Sequence, residues 1–384
     1  MDFAETADQA LLRDAVRRIA ADFGHDYYAG KARANQHTTE LWDAVARGGY
    51  AGVNVPARYG GGGMGISELA ILAEELAAQG CPLMLLLVSP AVSATILARF
   101  GTEAQQARWL PGLASGQAKI VLAVTEPDAG SNSHRLATTA ARQGGAWRLR
   151  GTKHYITGAD EADALLVLAR TGVDAGGRGR LSLFVVDADA AGLERTPIPL
   201  GFAVPERQFT LFFDDVTVAA DRLVGAEGDG LRQAFAGLNA ERIVGAASAN
   251  GIARYALARA ATYARQRRVW DVPIGAHQGL AHPLAAAKID VELARLMTQK
   301  AAWCHDTGAA GVAEAANMAK YAAAEAALAA VDAAIQTHGG HGFAAEFGLT
   351  DLWGVVRALR TAPVSREMVL NFVAEHSLGL PRSY

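Results

Sequence analysis

Apolar positions fall into three textures along the chain. Up to about residue 115, Leu11, Leu12, Ala15, Val16, Ile19 and Phe23 recur at the spacing of one helix face. Residues 68–79 have Ser67 before them as a candidate N-cap and Gly80 after them as a stop. Thr102 with Gln105 fits a capping box that opens another helix. Near Lys119 the texture changes. Short aliphatic, β-branched and aromatic runs at 120–124, 165–168, 181–186 and 209–213 are separated by turn clusters such as Asp174-Ala175-Gly176-Gly177, and predict a small antiparallel β domain. From about Gly230, long Ala-rich amphipathic segments near 231–265, 280–304 and 312–336, and a last one ending near His376, predict an antiparallel helical bundle. Ala-rich faces allow close helix approach, within the chain or between copies. The expected architecture is α+β and mainly α. It comprises an N-terminal helical domain at 1–117, a middle antiparallel β domain at 118–225 and a C-terminal four-helix bundle at 226–384.

Length agrees with this division, since 384 residues accommodate two or three domains of ordinary size. With 51% apolar and 20% charged residues the composition is that of a globular protein. A net charge of −3 argues against nucleic acid as a partner. The two cysteines, Cys81 and Cys304, build neither a disulfide framework nor a zinc pattern, which fits a reducing, cytoplasmic setting. The opening Met1-Asp2-Phe3-Ala4-Glu5 lacks a basic region followed by an apolar one, so no secretory signal is expected. The longest apolar stretch, near 82–92, is short of the ~20 residues of a membrane span. The run Gly60–Gly63 lacks the Lys-Ser/Thr of a phosphate loop and reads as a turn. No strand–Gly-x-Gly-x-x-Gly–helix unit occurs, so a Rossmann site is not expected.

Five stretches carry candidate chemistry. They are Ala123-Val-Thr-Glu-Pro-Asp-Ala-Gly-Ser-Asn132, Gly151-Thr-Lys-His-Tyr-Ile-Thr-Gly-Ala159, Glu241-Arg242 opening a run that ends in Tyr263-Ala-Arg-Gln-Arg-Arg-Val-Trp270, Pro273-Ile-Gly-Ala-His-Gln278, and Gln336-Thr-His-Gly-Gly-His-Gly-Phe343. The first is a turn rich in N–H and hydroxyl donors, read equally as a plain Pro/Gly turn. The basic run at 265–268 reads by itself as a solvated helix end. In this order, across the whole chain, the five stretches resemble the acyl-CoA dehydrogenase family.

That resemblance implies an FAD enzyme acting on acyl-CoA, passing electrons to an electron-transfer flavoprotein, and assembled as a homo-oligomer, a dimer of dimers. It implies that Leu122, Val124, Thr125, Gly130 and Ser131 line the FAD, with Ser131 also touching the CoA side. Tyr155, Ile156 and Thr157 lie against the isoalloxazine, Tyr155 standing where the family usually has Trp. Arg267 reaches the pyrophosphate, where a guanidinium fork suits anionic oxygens. Gln278 and Gln336, Gly339 and Gly340 match positions that contact the ADP portion from a neighbouring subunit. His277, His338 and His341 match no metal-ligand spacing, and a loop or adenine-edge role is expected with no metal.

The family's usual base is missing. Counting from Gly339-Gly340 places Pro363-Val364-Ser365 where a Glu-Gly-Thr segment is common, and Pro363 also lacks a backbone N–H. The family's Arg-Asp pair appears as Gly354-Val355. Glu241, just before Arg242, matches the base placement of isovaleryl-CoA and long-chain acyl-CoA dehydrogenases, so Glu241 is the expected base and Arg242 a substrate-side residue. Glu367 is a weaker candidate, and a structural ion pair is the competing reading of Glu241. The implied reaction forms a trans-2-enoyl-CoA in fatty or branched acyl metabolism. Kept beside it are a non-catalytic or partner-dependent subunit of the same fold, and a flavin oxidase, monooxygenase or carrier-protein thioester dehydrogenase on this scaffold.

Overall fold

The computed structural model describes residues 4–173 and 176–383, so Met1, Asp2, Phe3 and the expected turn residues Asp174 and Ala175 lie outside the described residues. The N-terminal part is helical: α1 (Ala7–Ala21), α2 (Gly24–Arg33), α3 (Thr39–Arg47), α4 (Ile66–Ala78), α5 (Thr95–Phe100) and α6 (Glu103–Ser115). The Thr102 box opens α6 as expected. Gln105 N donates to Thr102 Oγ1 at 3.2 Å and Thr102 N to Gln105 Oε1 at 3.0 Å. Ser67, expected as an N-cap, lies inside α4 instead. The reason is tertiary: Asp306, 240 residues downstream, accepts from Ile66 N at 2.7 Å and Ser67 N at 2.9 Å. The run Gly60–Gly63 folds as a turn, Gly63 N bonding Val55 O at 2.9 Å. A Cβ on Gly61 would sit 2.2 Å from Val55 O, so only glycine permits that approach. Before α5 the backbone makes a wide helical turn at Leu87–Ala94, almost wholly buried.

The middle domain is a seven-stranded sheet: β1 (Ile120–Ala123), β2 (Thr139–Gln143), β3 (Ala146–Thr157), β4 (Ala164–Val173), β5 (Gly179–Asp187), β6 (Leu193–Ile198) and β7 (Gln208–Ala219). Most pairs are antiparallel, while β1 and β2 each run parallel to β4. In β3, Trp147 and Leu149 face the core while Arg148 and Arg150 face outward. This half-polar alternation is the signature of a sheet wetted on one side.

The C-terminal part is a bundle of α7 (Gly230–Gln266), α8 (Gln278–Thr307), α9 (Val312–His338), α10 (Leu349–Thr361) and α11 (Arg366–Phe372). A short hairpin, β8 (Arg268–Val269) with β9 (Val272–Pro273), joins α7 to α8. The last helical segment is split, because Pro363 interrupts the ladder and Ser365 recaps it by accepting from Met368 N at 3.3 Å. The central α7 packs against α4, α8 and α9. Its contact with α4 is close enough that a Cβ on Gly251 would fall 2.2 Å from Glu74 O. Charge locks the same junction. Fully buried Glu75 binds Arg13 at 2.9 Å, Arg17 at 2.8 Å and Arg254 at 3.2 Å, and Glu74 binds Arg254 at 2.7 Å and Arg295 at 2.8 Å.

Candidate active site

At the end of β1 the chain leaves the sheet through the donor-rich turn. Glu126 and Ala129 close it with mutual backbone bonds of 3.1 and 3.2 Å. Leu122, Val124 and Thr125 are half-buried, and Gly130 and Ser131 are exposed. His154 N donates to Thr125 O at 2.8 Å, tying this turn to β3. Along β3 the register against β7 slips between Lys153 and Ile156, an inserted residue that makes a bulge. The bulge puts Tyr155 at φ 56°, with the residue 56% exposed and the His154 ring edge-on at 4.4 Å. Ile156 is buried, and Thr157 shares a hydrogen bond with the Gln208 amide. The structure therefore joins 124–131 and 155–157 as neighbouring segments through the His154–Thr125 backbone bond, with the Tyr155 side turned outward.

Glu241 lies on α7 one turn from both Gly237 and Gly245. A Cβ on Gly237 would meet Ile96 Cδ1 at 2.7 Å, and one on Gly245 would meet Leu87 Cδ2 at 3.3 Å, so this turn is pressed against the apolar segment 87–97. The Glu241 side chain is half-buried and has no hydrogen bond or ion pair among the described residues. Desolvation pushes its carboxyl up to about 7, and the nearby Arg242 charge offsets this only partly. Arg242 does not form the structural ion pair with it. Its Nη1 donates to Asn239 at 2.8 Å, its Nε is buried without a partner, and burial holds its pKa below the ordinary value.

Pro363 sits in a loop anchored from below. Buried Lys320 on α9 donates to Arg360 O at 3.0 Å and Val364 O at 2.5 Å. Desolvation, then the Arg242 charge, lowers the Lys320 ammonium to about 8. Glu367 is exposed. It offers no buried alternative to Glu241.

A third locus lies at the far end of α7. Tyr263, Arg267, Val269, Ile274 and residues 336–341 line an open groove of about 330 Å³. Arg267, Gln336, Gly339 and Gly340 line this one groove, whereas exposed Gln278 is not among the lining residues. The Arg267 guanidinium is exposed and unpaired among the described residues. The histidines here are engaged in ring contacts. Tyr263 stacks on His338 at 4.4 Å and bonds His341 Nδ1 at 3.0 Å, and His338 Nδ1 is 2.7 Å from Ala334 O. Arg267 stands 26 residues beyond Glu241. At 1.5 Å per residue α7 separates them by about 39 Å, more than the width of a small domain.

Sequence reasoning missed Lys153 and Lys320. Lys153 lay inside a quoted motif, but its role depends on contact with a residue 27 positions earlier. Lys320 lies in an Ala-rich helix with no local signal.

Three family models match the chain: the acyl-CoA dehydrogenase N-terminal domain over residues 6–117, the middle domain over 121–216 and the C-terminal domain over 228–378. The acyl-CoA dehydrogenase FadE12 of Mycobacterium tuberculosis (strain ATCC 25618 / H37Rv) is 55% identical over 383 residues, covering 100% of this chain and 99% of that one. Among solved structures, a chain from work on the electron transferring flavoprotein of Acidaminococcus fermentans superposes with a TM-score of 0.94 at 28% identity, covering 98% and 100% of the two chains. The FAD complex of PigA superposes with a TM-score of 0.93 at 27% identity, covering 99% and 100%.

Proposed function

Because this chain belongs to the acyl-CoA dehydrogenase family, oxidoreductases acting on CH–CH bonds, we propose that it binds FAD and converts an acyl-CoA thioester to the trans-2-enoyl-CoA with Glu241 as base. The observation that carries the reading is the unpaired, half-buried Glu241 carboxylate, tuned to about 7 with no structural partner to occupy it.

The residues present suit the cofactor. Tyr155 offers an outward aromatic face, and the 124–131 turn offers N–H and hydroxyl donors. In the distal groove, the unpaired Arg267 and the open backbone at Gly339 and Gly340, where an added Cβ would meet nothing within 4 Å, suit a pyrophosphate and its nucleoside. FAD, when bound, supplies the acceptor for the hydride from Cβ. Glu241 takes the Cα proton, for which it must be ionised. Ser131, exposed at the turn, meets the CoA side of the thioester. Arg242 lies next to Glu241, where its charge favours the ionised carboxylate. Lys320 holds the Val364 carbonyl and so fixes the peptide that replaces the family's donor at 363. Leu87, Val92 and Ile96 give an apolar wall suited to a fatty or branched acyl group.

The ~39 Å between Glu241 and Arg267 argues that one FAD draws on two copies. The α8 face bearing Ile289, Leu293, Leu296 and Trp303, all exposed and at helical spacing, is the surface we assign to a second copy, within a homotetramer. An electron-transfer flavoprotein is the proposed acceptor, and the two buried free thiols fit a cytoplasmic setting. No helix among the described residues is long and apolar enough to cross a membrane.

Anaerobic addition of a panel of acyl-CoA esters tests the reading. Bleaching of the flavin band by at least one ester is expected, with the effective ester naming the acyl class. A flavin-free protein, or a flavin that no ester bleaches, overturns it. Reduction only in the presence of a second polypeptide selects the partner-dependent subunit, which the loss of the N–H at Pro363 favours. Rapid peroxide release selects an oxidase.

A further inference from the structure

Lys153 is 0% exposed, yet it carries an ammonium. Burying a charge is costly unless it is paired and hydrogen-bonded, so its partners show what it is for. Its Nζ donates to Glu126 Oε1 at 2.8 Å and to Val124 O at 2.9 Å. Glu126, itself buried, also accepts from Thr138 N at 3.0 Å and Ala137 N at 2.6 Å. Both ends of the 126–138 excursion are therefore gathered on one carboxylate, and that carboxylate is gathered on one lysine. The lysine stands two residues before Tyr155, at the origin of the bulge that turns the Tyr155 ring outward. Glu126 is the charged group facing it.

We infer that Lys153 and Glu126 form a clamp, a pair of positioning residues that holds the 124–131 turn and the 155–157 bulge in the single arrangement that receives the cofactor ring. The inference rests on the FAD reading above. The clamp touches no reacting atom. It acts by pre-organising two segments that would otherwise have to be ordered at the moment of binding. The distal groove at Arg267 shares no residue with it, so the nucleoside end of the cofactor is unaffected.

The test is titration of the full-length, flavin-stripped chain with FAD and, separately, with ADP, in wild type, Lys153→Met, Glu126→Gln and the double variant. Lys153→Met is expected to bind FAD at least tenfold more weakly with ADP affinity unchanged, and the double variant no worse than Lys153→Met. Lys153→Met binding FAD within twofold of wild type, or losing ADP in parallel with FAD, overturns the clamp. Should Lys153→Met fail to fold, Glu126→Gln carries the same comparison, since its amide keeps the shape and loses the charge. A wild-type chain that takes up no FAD refutes the cofactor reading itself.

Discussion

Replacing Glu241 by Gln removes one ionisable group from a half-buried position and leaves its shape. The expected outcome couples gain and loss. Desolvation raises the carboxyl from 4.5 to about 7 on folding. A group with a raised folded-state pKa supports folding fully below its unfolded value, and that support is lost as pH rises through the folded value. Wild type and Glu241→Gln should therefore be equally stable below about pH 4.5. Between about 4.5 and 7 the unfolded chain ionises first, and wild type falls behind. Above about 7 the gap is constant. At about 1.36 kcal/mol per tenfold change, the ceiling is about 3 kcal/mol. Partial solvation of a half-buried carboxylate reduces that to about 1–2 kcal/mol. Glu241→Gln should thus unfold about 2–4 °C above wild type at pH 8 and together with it at pH 4.5. The same substitution should lower the rate of flavin reduction about 10²–10⁴-fold, with FAD retained. In wild type that rate should rise with pH around an apparent pKa near 7. Differential calorimetry across pH and anaerobic stopped-flow read the two arms. A variant less stable than wild type at pH 8 would refute the desolvation argument, and one reducing flavin at the wild-type rate would remove Glu241 from the mechanism.

Arg267→Ala should weaken FAD binding to the stripped chain at least tenfold while leaving the pH profile of reduction in the loaded protein unchanged, and fluorescence titration checks it. Leu293→Glu, on the exposed α8 face, should shift the protein toward monomers in sedimentation and lower FAD retention in step. Monomers that keep FAD would contradict a site shared between copies.

The three-part architecture was legible because its apolar texture differs: a helical period in the terminal parts and short unbroken aliphatic and aromatic runs in the middle. Three strands, β2, β3 and β6, escaped notice: β2 and β6 carry mostly solvent-facing residues, and the buried positions of β3 are interspersed with polar ones, so no apolar run marks them. The start of α4 was misjudged for a different reason, since Asp306 supplies its cap from another helix and no local signal encodes that. The final helix read as one because its apolar pattern continues past Pro363. Within the site, Arg267, Gln336, Gly339 and Gly340 could be singled out from motifs, but that they line one groove, with Gln278 outside it, is visible only in the fold. The proposed base was legible only through a departure, the missing acid at 363. The state of Glu241, unpaired beside Arg242, needed three dimensions. So did Lys153 and Lys320, whose meaning lies entirely in what they touch.

The 37-residue helix α7 (Gly230–Gln266) joins the turn of Glu241 to the cap at Arg267 without a break. It works as a ruler. Deleting one residue between those points would shorten it by about 1.5 Å and rotate everything beyond by about 100°. Each half could then still fold on its own neighbours while the distal groove faced the wrong way for the second copy proposed above. Length in this helix is thus constrained as well as composition: its small buried residues set how closely the neighbours approach, and their number sets how its two ends face.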